Sequence, residues 1–259
     1  MLRIALATLL SITSIAHVQA EEVNVSGSTS VARVMDVLAE QYNNQNSNTF
    51  VAVQGVGSTA GITLLEKGAT DIGMSSRFLT VQENDESLEV FPIAYDGLAV
   101  VVNLANPIQN VTREQLFDIY KGKISNWKQL GGPDQKIAVV TREASSGTRA
   151  SFENLLGLTR VINDRTVSDI NPTNLVVNSN SMVKTIVNHN PHAIGFISEG
   201  SVDAQLRRFS SKALTLQLKI SLKANTNWLV HSYCCTKKTI SMTMQTSSSS
   251  TFFRPKVRC

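Results

Sequence analysis

Cysteine is missing from the first 233 residues; the three present, Cys234, Cys235 and Cys259, all stand at the C-terminal end. Neighbouring cysteines do not readily bridge to each other, so the body of the chain reads as free of disulfides. Asp, Glu and Gly are absent after Asp203, yet ten of the 24 Lys and Arg residues fall beyond it. The formal charge of +4 therefore belongs to the tail, because residues 1–203 carry 14 basic against 20 acidic groups, a net of −6. A body of that sign lacks the electrostatic footprint of a nucleic-acid binder. No run of about 18 apolar residues is available to span a bilayer. In the body after the N-terminal segment, histidine is limited to His189 and His192, which flank Asn190-Pro191. With no further ligands in view, they read as solvated loop histidines rather than a metal pair.

What is present begins with Met1-Leu2-Arg3, an apolar stretch from Ile4 to Leu10, and Val18-Gln19-Ala20 ahead of Glu21-Glu22. This is the pattern of a secretory signal peptide over residues 1–20, cleaved before Glu21. With no cysteine near the cleavage point to carry a lipid, a free periplasmic protein is expected, as in a Gram-negative cell. The remaining 239 residues suffice for one large or two ordinary domains.

From Val23 to about Gly200 short apolar strands alternate with helical periods, which favours an α/β fold. Strands are expected at Val23–Val25, Phe50–Val53, Asp71–Met74, Phe91–Tyr95, Leu98–Val102, Lys136–Val140 and Ala193–Ile197. Helices are expected at Val31–Tyr42, with Val34, Val37 and Leu38 on one buried face, and at Ala60–Lys67, Thr112–Tyr120 and Gly147–Leu156. Strand, small polar turn and helix recur in both halves. Such turns gather backbone N–H groups and the positive end of a helix dipole at one place, which suits an anion.

Three turns stand out. Ser26-Gly27-Ser28-Thr29-Ser30 offers hydroxyls and N–H donors, although helix capping alone explains many such clusters. Gly55-Val56-Gly57-Ser58-Thr59-Ala60-Gly61 has the look of a dinucleotide fingerprint but lacks both the acidic partner and the Gly-Lys-Ser/Thr ending of a P-loop. Thr141-Arg142-Glu143-Ala144-Ser145-Ser146-Gly147-Thr148-Arg149 combines an arginine fork, hydroxyls and a glycine, a set suited to a tetrahedral oxyanion. Arg149, seven residues after Arg142, reads as a solvated helix-surface charge.

These turns, with Asp71-Ile72-Gly73-Met74-Ser75-Ser76-Arg77, Ile124-Ser125-Asn126-Trp127 and Ala193-Ile194-Gly195-Phe196-Ile197, resemble the phosphate-binding protein family of ABC importers, in consistent order over residues 23–205. The resemblance implies a two-domain periplasmic-binding-protein fold with mixed sheets flanked by helices and a ligand cleft between a first lobe, 21–98, and a second, 99–200. It implies a monomeric receptor for inorganic phosphate serving membrane permease and ATPase subunits, with no cofactor, metal or catalytic residue. Carried over residue by residue, the ligand donors fall on Ser28, Thr29, Ser58, Ser146, Gly147 and Thr148, with Arg142 as the positive fork. Asp71 is taken as the buried carboxylate that accepts the ligand's proton and so repels sulfate; the competing reading is a carboxylate capping a strand end. Asp96 is a second-rank acceptor near the hinge. Many members place an Asp two residues after the arginine, whereas this chain has Ala144, which leaves Glu143 as a geometrically poor partner for Arg142. The rival function is an exported phosphatase or other serine hydrolase using Ser146 or Ser28, which needs a base beside the serine.

Residues 201–259 form a return segment and a tail that departs from the family after about Leu214 to Gln217. Triplets read from the third base of each codon and the first two of the next, with permitted codons for Ala224 to Gln245, give KYKLARPFLLLYKKDNINDDA, which resembles the family's C-terminal strand. A slipped reading frame is the expectation, with the closing elements of the fold absent. Restoring the frame by one nucleotide near codon 215 should give a protein whose cooperative melt phosphate shifts upward. A gene with no frame encoding that C-terminus overturns the idea.

Overall fold

The computed structural model describes residues 21–84, 86–209, 230–237, 241–247 and 250–256. The expected signal peptide, residues 1–20, and the expected point of frame slippage lie outside them. The N-terminal part alternates strand and helix: β1 (Glu21–Gly27), α1 (Thr29–Gln45), β2 (Thr49–Gly55), α2 (Ser58–Glu66), β3 (Ile72–Ser75) and β4 (Leu88–Asp96). The chain continues through β5 (Leu98–Asn103), α3 (Arg113–Lys121), β6 (Ala138–Arg142), α4 (Gly147–Leu156), β7 (Thr159–Ile162), β8 (Arg165–Ser168), β9 (Leu175–Val177), α5 (Asn180–His189), β10 (Ala193–Ser198) and β11 (Leu206–Arg208). Three further strands follow: β12 (Val230–Lys237), β13 (Ser241–Ser247) and β14 (Ser250–Lys256).

Two five-stranded sheets organise these elements. The first has the order β2-β1-β3-β12-β4, the second β11-β5-β10-β6-β9. In the first, β1 runs parallel to β2 and β3; in the second, β6 runs parallel to β9 and β10. Parallel neighbours need a crossover, supplied by α1 and α2 in one sheet and by α4 and α5 in the other. The strands buried on both faces, such as Ile72–Ser75 and Ala193–Ser198, are continuous runs of buried residues rather than alternations. The chain passes from one sheet to the other at Asp96-Gly97-Leu98. There the Asp96 carboxylate accepts from Ser198 Oγ at 2.5 Å and from Gly97 N at 2.8 Å, so Asp96 fastens the crossover rather than reaching toward a ligand.

One face of the second sheet packs on a cluster rich in aromatic rings, the other on aliphatic residues such as Val101, Val140, Val183 and Ile197. Phe152 of α4 stacks on Phe196 of β10 with ring centroids 4.0 Å apart and meets Tyr120 of α3 edge-on at 4.6 Å. The Tyr120 hydroxyl donates to the Val140 carbonyl, and burial pushes this phenol above its ordinary range. Trp127, fully buried, donates Nε1–H to the His192 carbonyl. Among the described residues, the core under the first sheet is aliphatic, built around Val23, Val25, Val31, Met35, Ile72 and Met74.

Several expectations need correction. Helix α1 turns Val31, Ala32, Met35 and Ala39 inward and leaves Val34 and Val37 exposed, so its buried stripe is set one step from the expected one. The β7–β8 hairpin, β9, α5 and β11 had no counterpart in the strands and helices expected from the sequence. His189 is the last residue of α5, with Nδ1 at 2.7 Å from the Thr185 carbonyl, and is not in a loop. The return position of the first sheet is occupied: β12 lies between β3 and β4, antiparallel to both. Ladder hydrogen bonds come from the backbone and accept almost any side chain, which is how a segment without the expected apolar sequence takes this place. The strand falls on the codons whose shifted triplets spell Pro-Phe-Leu-Leu-Leu-Tyr-Lys. No helix follows it among the described residues.

Removing the ring at the centre of the second core should be costly. Phe152→Ala is expected to lower stability by about 3–5 kcal/mol in urea unfolding, and a loss below about 1 kcal/mol would contradict the packing described.

Candidate functional site

Five polar turns converge where the two sheets face each other, each at the C-terminal end of a strand. Ser28 follows β1 and caps α1, its Oγ accepting from Ser30 N at 3.2 Å. Gly57 follows β2 and opens α2, beginning with Ser58. Ser76 follows β3. Ser146 follows β6 and caps α4, accepting from Arg149 N, and Ser179 follows β9 and caps α5, accepting from Met182 N. Four helix N-termini and their unpaired N–H groups are thereby brought to one region, the standard place for a ligand on an open α/β sheet.

The hydroxyls form a network across the gap between the sheets. Ser28 Oγ donates to Ser76 Oγ at 2.9 Å, and Ser76 N donates to Ser58 Oγ at 3.1 Å. Ser30 Oγ lies 3.1 Å from Thr148 Oγ1 and accepts from Asn180 Nδ2 at 2.9 Å. Thr59 N donates to the Ser145 carbonyl at 3.1 Å. Ser28, Ser30, Ser58, Ser76, Arg142, Ser146, Thr148 and Asn180 are all buried. Two glycines allow the approach. A Cβ on Gly147 would stand 2.3 Å from Ser58 Oγ and 2.6 Å from Ser76 Oγ, and one on Gly57, at φ +95°, would stand 2.4 Å from Ser145 Oγ.

Among the described residues, Arg142 is the cation inside the network, at 1% exposure. Its Nε donates to Glu143 Oε2 at 2.9 Å and Nη2 to Glu143 Oε1 at 3.0 Å. Nη1 donates to Asn180 Oδ1 at 2.9 Å, and Nη2 also reaches Thr29 Oγ1 at 3.3 Å. The bidentate pair with Glu143 overturns the expectation that this neighbour is a poor partner: side chains of adjacent strand residues leave on opposite faces, but β6 ends at Arg142, and the turn swings Glu143 back alongside.

Of the residues singled out from the sequence, Ser28, Thr29, Ser58, Arg142, Ser146, Gly147 and Thr148 are brought together. Asp71 is not. It precedes β3, and its Oδ2 accepts from Asn24 N at 2.8 Å at the opposite end of the strand from Ser76. That is the strand-end capping role weighed against it. Arg149 is also not a solvated charge: Nε donates to Glu153, Nη1 to the Arg142 carbonyl at 2.7 Å and Nη2 to Ser168. The functional candidates missed in the sequence are Ser30, Ser76 and Asn180. Ser76 was visible inside the motif Asp71 to Arg77, just past the third strand, and Asn180 as the residue after an N-capping serine ahead of Val183 and Val187. No cluster of metal-ligating side chains occurs among the described residues.

Residues 14–234 match the family described as the PBP superfamily domain. The chain belongs to this superfamily. Within it, a crystal structure of an ABC-type phosphate transport receptor from Vibrio cholerae is 59% identical, covering 83% of this chain and 87% of that one, with a TM-score of 0.63. A putative phosphate ABC transporter substrate-binding protein from Clostridium perfringens, solved with bound phosphate, is 32% identical with a TM-score of 0.72, covering 84% of this chain and 87% of that one. The phosphate-binding protein PstS of Borreliella burgdorferi is 36% identical over 178 residues, 69% of this chain and 63% of that protein; its Bacillus subtilis counterpart is 32% identical over 177 residues, 67% and 56%. The chain thus spans about 60% of the length of these two curated relatives. The PBP-superfamily relatives are substrate-binding receptors, and this chain shares their mixed α/β architecture.

Because Arg142 is buried with its charge, its carboxylate partner should matter to folding. Glu143→Ala is expected to cost about 2–3 kcal/mol, the value of a hydrogen-bonded charged group left unpaired, measured by denaturant unfolding. An unchanged midpoint would show that Arg142 is neutralised some other way.

Proposed function

We propose that the chain is a periplasmic receptor that binds inorganic phosphate and passes it to the permease and ATPase subunits of an ABC importer. The observation that carries this reading is the buried network of hydroxyls and helix N-terminal N–H groups around one paired guanidinium, a set of donors suited to a tetrahedral oxyanion. In this reading phosphate sits between the turns and is held by Ser28, Thr29, Ser58, Ser146, Gly147, Thr148 and Arg142, with Ser30, Ser76 and Asn180 added from the structure. The lobes that close on it are residues 21–98 and 99–200, which meet at the Asp96-Gly97-Leu98 crossover. Export rests on the signal peptide over residues 1–20, and a monomer suffices because both halves of the site come from one chain.

The receptor reading is favoured over a serine hydrolase by the company the serines keep. Ser28 and Ser146 are engaged in helix caps, and His189 is exposed, with its ring nitrogen on the Thr185 carbonyl. A nucleophilic serine needs a base within hydrogen-bond reach. Equilibrium dialysis with labelled phosphate, run beside a phosphate-ester hydrolysis assay, should show binding without turnover. Arg142→Lys keeps the charge but loses the planar fork, and should weaken phosphate binding by about 1.5–3 kcal/mol. An unchanged dissociation constant would place the ligand elsewhere.

A further inference from the structure

The carboxylates around the network are already committed. Glu143 gives both oxygens to Arg142, Glu83 gives both to Arg77, and Glu153 Oε1 accepts from Arg149 and Ser168. Asp71 serves Asn24 N at the far end of β3, and Asp96 holds Ser198 and Gly97 at the crossover. Among the described residues, then, the groups that meet between the turns are hydroxyls, amides, N–H donors and a paired guanidinium. An acceptor-only carboxylate would repel an oxyanion that has no proton to offer, and this network does not place one there.

Ser76 lies at the centre of the network. Its hydroxyl is buried at 1% exposure, accepts from Ser28 Oγ, lies 3.5 Å from Ser58 Oγ and faces Gly147, where a Cβ would stand 2.6 Å from it. The ends of α1, α2 and α4 thus meet at this one hydroxyl. A serine hydroxyl carries one proton and two lone pairs and rotates freely, so it donates to a bare oxyanion oxygen and accepts from a protonated one.

We infer that the network takes fully deprotonated tetrahedral oxyanions of the sulfate class as well as phosphate, with the Ser76 hydroxyl as the group that adapts to either. The inference rests on the phosphate-receptor reading and deepens it: the site recognises tetrahedral shape and negative charge and does not demand a proton from its ligand. It also replaces the expectation that Asp71 excludes sulfate. Selectivity by repulsion requires a repelling group, and hydroxyls, amides, N–H donors and a paired guanidinium supply none.

Titration calorimetry of the mature chain with sodium phosphate and with sodium sulfate, at one pH and ionic strength in a buffer holding neither, tests this. Both anions should bind, each displacing the other, with dissociation constants within about 100-fold, or about 2.7 kcal/mol. Ser76→Asp should lower sulfate affinity at least about tenfold more than phosphate affinity, since only phosphate has a proton to give the new carboxylate. Ser76→Asn, of similar volume without the charge, should affect both anions alike. Phosphate binding that an excess of sulfate of about 1,000-fold fails to displace overturns the inference and leaves the receptor reading standing. Binding of neither anion by the wild-type chain overturns both. Equal losses for the two anions in Ser76→Asp remove Ser76 from the role, and the wild-type competition decides the ligand class without any variant.

Discussion

A guanidinium held at 1% exposure sets the terms for everything around it. Taking a charge out of water costs several kcal/mol unless the protein returns the lost hydrogen bonds, and here the return is made by parts of the chain far apart in sequence. Glu143 supplies the countercharge, Asn180 comes from the start of α5, and Thr29 comes from the start of α1, which belongs to the other sheet. Arg142 can be buried only if both sheets are in place around it. The same side chain that gives the site its positive charge therefore also ties the two halves of the fold together.

The sheet order explains why so many donors reach one place. In each sheet the parallel strands end on the same side, so the turns after β1, β2 and β3 face those after β6 and β9. Each of these turns except the one after β3 opens a helix, and each helix start brings N–H groups with no partner inside the helix. Serines at the caps satisfy part of that demand and add hydroxyls of their own. Arg149, tied to the Arg142 carbonyl, Glu153 and Ser168, holds the end of β6 to the first turn of α4 and so fixes the distance between the guanidinium and the capping hydroxyls.

Much of this was legible because periodicity and turn chemistry are local properties. Helix α4 was expected at Gly147–Leu156 and is found there, since a serine cap, a buried stripe and a terminal glycine all agree. The site turns were legible for the same reason. The placing of Asp71 was not, because Asp71 and Ser76 lie within one short motif and only the direction of β3 in the sheet says which end meets the other lobe. The pairing of Glu143 with Arg142 was hidden by the alternation rule, which fails where a strand stops. The β7–β8 hairpin turns through Asn163 and Asp164, both at positive φ without the glycine that usually marks such a turn. Helix α1 was misoriented because Val34 and Val37 are apolar but face outward, and hydropathy alone cannot tell a surface valine from a core one.

Gly147 stands against the Ser58 and Ser76 hydroxyls with no room for a methyl group. The spacing across the seam is consequently gauged by a backbone hydrogen rather than by any side chain that could swing aside. Rotamer motion changes which hydroxyl points where but cannot widen the gap, so the network is adjustable in orientation and fixed in bore. A chain built this way can reorient its hydroxyls while the width of the seam stays constant, and that width is set at positions such as Gly147 and Gly57 that have no side chain to move.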